Sequence, residues 1–193
     1  MTAPATARVL VVCTANICRS PAAEGVLSAG LHGTGIEVSS AGLTAWSGRP
    51  ADERTAVLVP ELAPGFRARQ LAPSVLGGVD LVLTMTRAQR GSVVGRAPAL
   101  VRRTFTLVEF AELADLVVAQ GAPLPPDPVG RLRELVDRAP RARAQRAGGP
   151  GTDDVPDPVS LGADEYADVI GELRATCTRL VSALQPASLP APQ

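Results

Sequence analysis

The chain has 193 residues, with 19 basic and 19 acidic side chains balancing to zero net charge, three cysteines and a single histidine. That length suits one compact domain with a core that needs no staples, and the balanced charge excludes a global nucleic-acid-binding field. Three cysteines exclude a disulfide framework, and no window approaches the roughly 18 apolar residues of a membrane span. The opening "MTAPATAR" is too short and too weakly apolar for a signal peptide. The expectation is a soluble cytoplasmic protein.

Every basic residue is arginine, so a side-chain ligand for phosphate must be a guanidinium fork. The lone His32 stands in "GLHGTG", a helix-end and turn context. That excludes Cys-His and Ser-His-Asp chemistry and a Cys/His zinc site. Neither metal nor cofactor is expected.

In chain order, residues 8–12 (RVLVV) form a short continuous apolar run, the pattern of a buried parallel strand. Pro21 opens a helix through "AAEGVLSAGL" to Gly30 or Gly33. A strand follows at 36–42 and a helix at 51–62, stopped near Pro60 and Pro64. A third strand is expected at 79–85, a helix around 86–94, a fourth strand at 102–107 and a helix at 108–119. The last helix spans 163–184. Alternating strands and helices predict an α/β fold with a four-stranded parallel sheet and helices on both faces. Residues 1–185 are read as one domain and 186–193 as a flexible tail. Residues 111–152 are read as a variable Arg/Pro/Gly-rich insertion, holding a loop, a short exposed helix and a Gly/Pro connector. Its charge run is read as a solvated helix face.

Cys13 ends the first strand, where parallel sheets bind ligands. Six residues later comes Arg19, then Ser20 and the helix at Pro21. A loop of Thr14, Ala15, Asn16, Ile17 and Cys18 would curl its backbone N–H groups into an anion-sized cup, with the helix N-terminus adding its positive end. Arg19 supplies a fork for two phosphate oxygens. The same field favours a Cys13 thiolate, and Ser20 can donate to that sulfur as it leaves. This arrangement suits nucleophilic phosphoryl transfer through a cysteinyl-phosphate.

Such chemistry needs an acid for the leaving oxygen and a base for water. Without a usable histidine, a carboxylate must serve. The tetrapeptide "PDPV" occurs twice, offering Asp127 and Asp157. Asp157 is favoured because it directly precedes the last helix, though either aspartate also suits a turn with a helix N-cap.

Together, "VCTANICRSP", "SSAGLTAWSGRPADERT", "RARQLAPSVLGGVDLVLTMTRAQR" and "DVPDP" resemble the low-molecular-weight protein tyrosine phosphatase family. That family's phosphate loop usually reads Cys-x-Gly-Asn-x-Cys-Arg-Ser-Pro. The likeness covers residues 8–110 and 153–184. It implies a flavodoxin-like three-layer sandwich, with Cys13 as nucleophile, Arg19 binding the phosphoryl group and Asp157 as general acid. It further implies that Asn16, Ser20 and Ser40 brace the loop and that Trp46 walls the substrate slot. Cys18 would be a redox partner that shields Cys13 from over-oxidation. The implied substrate is a phosphotyrosine protein, with a bacterial tyrosine kinase as one such partner.

Four positions depart from the family pattern: Ala15 replaces glycine, Phe66 a histidine, Thr86 an aspartate, and Val159 the aromatic residue after Asp-Pro. Two alternatives accompany the phosphatase expectation. One is an arsenate reductase of the same fold, which would need two further relay cysteines where only Cys177 remains. The other is a catalytically weak phosphate-binding module docking partners through the Arg-rich segment at 131–146.

Overall fold

Strand β1 (Ala7–Cys13) is buried on both sides: Val9, Val11 and Cys13 face one core, Leu10 and Val12 the other. That is why its sequence is a continuous apolar run rather than an alternation. The computed structural model describes residues 6–146 and 153–185. The connector at 147–152 and the tail at 186–193 lie outside them.

β1 pairs in parallel with β2 (Ile36–Gly42) on one side and β3 (Leu81–Thr84) on the other, and β3 pairs in parallel with β4 (Thr104–Thr106). The order is β2-β1-β3-β4. The chain leaves β1 toward one edge, then crosses back over it to start β3. The crevice at such a switch of direction lies beyond the carboxyl end of β1, where Cys13 sits.

Helices α1 (Arg19–Gly30), α5 (Leu107–Ala119) and α7 (Ala163–Leu184) cover the larger core, which includes Leu27, Phe105, Phe110, Tyr166 and Leu173. The opposite face is closed by α3 (Pro73–Leu76) and α4 (Arg87–Arg96), with Val75, Leu76 and Val93 packing on Leu10, Val12 and Val82. The helix expected at 51–62 contracts to α2 (Glu53–Leu58). Asp52 caps its start, accepting the Arg54 N–H at 2.9 Å, and Pro60 disfavours helical backbone at Val59. The fourth strand is also shorter than expected. A 3-10 turn takes Pro98–Arg103, and the Thr106 hydroxyl caps α5 by accepting the Glu109 N–H at 3.1 Å.

Within 111–152, the helix expected to be short and exposed is α6 (Pro128–Ala142), 15 residues long. Val129, Leu132, Leu135, Val136 and Ala139 are buried, forming one apolar face at helical spacing. Arginines of this helix and of the turn after it bind within the chain. Arg131 donates to the Ala183 carbonyl at 2.6 Å, and Arg133 pairs with Asp80 at 3.0 Å. Arg143 pairs with Glu109, and Arg146 with both Glu112 and Asp153. Among the described residues no helix is long and apolar enough to cross a membrane.

Candidate active site

The loop after β1 is shaped by what its carbonyls bind. The carbonyls of Cys13, Thr14 and Ala15 accept the N–H groups of Leu43, Thr44 and Trp46, each at 3.0 Å, and that of Ile17 accepts the Asp52 N–H at 2.8 Å. In a trans peptide the C=O and the following N–H point in opposite directions. Four carbonyls drawn outward therefore turn the amides of Thr14, Ala15, Asn16 and Cys18 inward. The Asn16 amide reaches the Cys13 sulfur at 3.3 Å. Gly42 permits this close approach: a Cβ there would lie 2.6 Å from the Thr14 carbonyl oxygen.

Asn16 is the described non-glycine residue with positive φ, at 59°. Asparagine tolerates that left-handed turn, and Ala15 is not asked to make it, so the missing loop glycine costs no strain. The Asn16 side chain is buried and holds three segments together. Its amide nitrogen donates to Ser20 Oγ at 2.9 Å and to Ser40 Oγ at 2.7 Å, while its oxygen accepts the Arg69 N–H at 2.9 Å. Ser20 Oγ lies 2.9 Å from the Cys13 sulfur. Because that oxygen already accepts from Asn16, its proton is left to point at sulfur.

The network extends to residues not anticipated from sequence. Ser40 donates to Glu24 at 2.6 Å, and the Arg69 guanidinium donates to the Ser40 carbonyl at 2.6 Å. Burial raises the Glu24 carboxyl above its ordinary range, against the opposing pull of the Ser40 hydroxyl and Arg69. Gln89, also unanticipated, accepts the Met85 N–H and donates to Thr14 Oγ1 at 3.0 Å, pinning the loop from the β3 side. Phe66 packs against the larger core, where it contributes no hydrogen bond to this network. Thr86 caps α4, accepting the Gln89 N–H at 3.2 Å.

Arg19 is nearly buried, and its guanidinium donates to the Val155 carbonyl at 3.0 Å and to Asp157 at 2.5 Å. Of the two PDPV aspartates, Asp157 therefore meets the loop. Asp127 instead caps α6, accepting the Gly130 N–H at 2.7 Å. The second Asp157 oxygen accepts the Val159 N–H at 3.3 Å, and the strand-side end of this segment is tied by the Val155 N–H to the Met85 carbonyl at 2.8 Å. A pocket of about 210 Å³ opens here, with Cys13 and Arg19 below and Trp46, Ile17, Asp157 and Val159 around it. Trp46 and Val159 are both about half exposed, and the Arg49 guanidinium lies 5.6 Å from the Trp46 ring centroid.

Cys18 also lines the pocket, at the cap of α1. Burial pushes its thiol up to about 11, despite the Tyr166 hydroxyl that favours its charged form. Cys177 is fully enclosed in α7, its thiol pushed up to about 12 by burial, far from the exposed setting that a redox relay requires. The assembled groups are a sulfur under inward amides, a guanidinium fork and a carboxylate at the rim. They can bind a tetrahedral oxyanion, attack it in line and exchange a proton with its leaving oxygen.

Residues 8–120 match the family described as low molecular weight phosphotyrosine protein phosphatase. The chain is 38% identical over 107 residues to a protein of Ralstonia nicotianae described as a probable low molecular weight protein-tyrosine-phosphatase EpsP, covering 54% of this chain and 72% of that one. It is 34% identical to a protein-arginine-phosphatase of Geobacillus stearothermophilus, covering 68% of this chain and 92% of that one. Among solved structures, the low molecular weight protein tyrosine phosphatase from T. tengcongensis superposes with a TM-score of 0.66 at 27% identity, covering 92% and 99% of the two chains.

Proposed function

Since the chain belongs to the low molecular weight phosphotyrosine protein phosphatase family, we propose that it hydrolyses phosphomonoesters through Cys13, Arg19 and Asp157, with phosphotyrosine in proteins as the substrate. The contact between Arg19 and Asp157 beside the Cys13 sulfur carries this assignment. Phosphate displaces the carboxylate from Arg19 and takes the inward amides and the guanidinium fork. The incoming phosphomonoester monoanion passes its proton to the displaced Asp157 carboxylate. The Cys13 sulfur then forms a bond to phosphorus as the ester P–O bond breaks, and Asp157 gives that proton to the departing oxygen. Asp157 then accepts a proton from water, whose oxygen attacks phosphorus. The S–P bond breaks, phosphate leaves, and the Ser20 hydroxyl receives the returning negative charge on sulfur.

Hydrolysis of p-nitrophenyl phosphate in EDTA tests the assignment. The Cys13→Ser change should abolish turnover, and Asp157→Ala should lower it by about 10²- to 10⁴-fold. Asp127→Ala should leave it near wild type. Loss of turnover in Asp127→Ala alone would replace Asp157 as the acid.

Phosphotyrosine is favoured by the apolar walls that Ile17, Trp46 and Val159 offer to a ring. The similarity to a protein-arginine-phosphatase motivates a second reading, in which the slot takes phosphoarginine. Asp157 is the carboxylate lining the slot, and as the general acid it is directed at the leaving atom, with no second carboxylate among the lining residues to hold a substrate guanidinium. Competing phosphotyrosine and phosphoarginine peptides in one assay separates the two. Preferential release from phosphoarginine would favour the second reading. The partner proposed is a phosphotyrosine protein such as a bacterial tyrosine kinase. Trapping with Cys13→Ser and identifying the retained phosphoproteins tests it.

A further inference from the structure

The segment bearing Asp157 is fixed on both sides, and the downstream fixing falls to one side chain that the catalytic assignment does not use. Upstream, the Val155 N–H binds the Met85 carbonyl and Asp154 accepts the Arg87 N–H at 2.8 Å. Downstream, the Arg54 guanidinium donates to the Val159 carbonyl at 3.3 Å and the Leu161 carbonyl at 3.2 Å. Val159 is also the residue whose N–H holds the Asp157 carboxylate at 3.3 Å. Moving Val159 therefore moves the acid.

Arg54 is itself held rigidly. Its Nε and Nη2 donate to the two Asp52 carboxylate oxygens, each at 3.1 Å, a fork-to-fork pair that sets the guanidinium plane. Its central carbon lies 3.9 Å from the Tyr166 ring centroid, a stacked cation–π contact. Both supports lead back to the nucleophile loop. The Asp52 N–H binds the Ile17 carbonyl at 2.8 Å. The Tyr166 hydroxyl meets Thr55 at 2.6 Å and lies near the Cys18 thiol, whose charged form it favours.

We propose that Arg54 is a positioning residue for general-acid catalysis, coupling the Asp157 segment to the Cys13 loop through Asp52 and Tyr166. This rests on the phosphatase assignment above. With Arg54 removed, the loop amides, Arg19 and Cys13 keep their contacts, so phosphate binding persists. The downstream end of the Asp157 segment loses its anchor, and protonation of the leaving oxygen suffers.

The signature is leaving-group dependence. A nitrophenolate, the weaker base, depends less on a proton from Asp157 as it departs than a phenolate does. The measurement is kcat/KM for p-nitrophenyl phosphate and phenyl phosphate in the full chain, its Arg54→Ala and Arg54→Lys variants, Asp157→Ala, and the Arg54→Ala/Asp157→Ala double variant. The Arg54→Ala change should lower kcat/KM for phenyl phosphate about 10-fold more than for p-nitrophenyl phosphate, with inhibition by inorganic phosphate within about twofold of wild type. In the Asp157→Ala background the extra loss should vanish, because coupled residues are non-additive. Arg54→Lys keeps charge over the ring but not the fork, so it should shift the ratio in the same direction and to a lesser degree. An equal fall for both substrates in Arg54→Ala, or an unchanged ratio in a folded Arg54→Lys variant where Arg54→Ala fails to fold, overturns the assignment. So does an undiminished extra loss in the double variant. A wild-type chain inert toward p-nitrophenyl phosphate, or activity surviving Cys13→Ser, overturns the phosphatase assignment itself.

Discussion

The Arg19 guanidinium and the Asp157 carboxylate, 138 positions apart in sequence, meet at 2.5 Å beside the Cys13 sulfur. Arg19 is 5% exposed in this pair and Asp157 is 51% exposed, so the acid can swing away while the arginine stays. An incoming phosphate competes with Asp157 for the fork. Removing the carboxylate therefore has two opposite effects. Asp157→Ala should slow turnover yet tighten inhibition by inorganic phosphate, since the anion no longer displaces a charge-assisted hydrogen bond. Competitive inhibition constants for wild type and variant measure this. Weaker phosphate inhibition in the variant would mean that the carboxylate aids rather than opposes anion binding.

Asn16 combines an unusual backbone with a fully used side chain, and two substitutions separate the contributions. Asn16→Gly keeps access to φ of 59° but deletes the bonds to Ser20, Ser40 and Arg69. Asn16→Ala deletes the same bonds and adds a left-handed alanine, a further cost of about 1–2 kcal/mol. Both should lower activity, and the alanine variant should unfold at lower urea concentration than the glycine variant. Equal midpoints would show that the loop relaxes out of the left-handed turn once its side-chain bonds are gone.

The parts of the site that lie along one short stretch were legible in sequence. Cys13, Arg19 and Ser20 follow from a buried strand running into a helix, and residue order alone places them around one loop. The sheet was equally legible, because β1 and β3 are continuous apolar runs with a core on each face. The less legible features arise from tertiary approach. Arg69, Glu24, Gln89 and Arg54 carry no local signature, and each acts by reaching a carbonyl or hydroxyl on another segment. Resemblance singled out Ala15 as the loop's departure, whereas the left-handed residue is Asn16. The apolar face of α6 was hidden by the arginines interspersed along it, of which Arg133 binds Asp80 and Arg138 binds Glu134.

The three cysteines should differ sharply toward an alkylating agent. Reaction requires a thiolate and access. Burial holds the Cys18 thiol up near 11 and that of Cys177 near 12, so both remain protonated at neutral pH. Cys13 is at the pocket floor with two donors on its sulfur. Iodoacetamide at pH 7.5 should label Cys13 first, and inorganic phosphate should protect it. Peptide mapping after brief exposure decides the matter. Early modification of Cys18 would contradict its protonated state.

Arg54 hydrogen bonding holds the Asp52 carboxyl below the ordinary carboxylate range, outweighing a smaller opposing desolvation. The native state thus binds fewer protons at this site than the unfolded chain. The contribution is fully present above the unfolded value of about 3.9 and is lost as pH falls through the lower native value. Asn caps a helix as well as Asp does, so Asp52→Asn isolates the charge. The variant should be less stable than wild type at pH 6, and the two should converge as pH drops below the lowered native value. Urea unfolding at several pH values reads this directly. A gap that stays constant to the acid limit would rule out the ion pair as its source.

Specificity for a ring should depend on the two walls of the slot. Trp46 offers an indole face at the pocket mouth, about half exposed, with the Arg49 guanidinium 5.6 Å from its centroid. Val159 stands across the pocket as a branched aliphatic side chain and cannot complete an aromatic sandwich. A ring contact contributes about 0.5–1.5 kcal/mol beyond its buried area, or about a 2- to 13-fold change in binding. Trp46→Ala should therefore raise KM for a phosphotyrosine peptide by about that factor while leaving a small alkyl phosphate unaffected. Val159→Tyr should lower KM for the peptide by a similar factor, because it supplies the second ring on a backbone that Arg54 already fixes through the Val159 carbonyl. If Trp46→Ala weakens aryl and alkyl phosphates alike, the indole supports the shape of the loop rather than recognising the substrate ring.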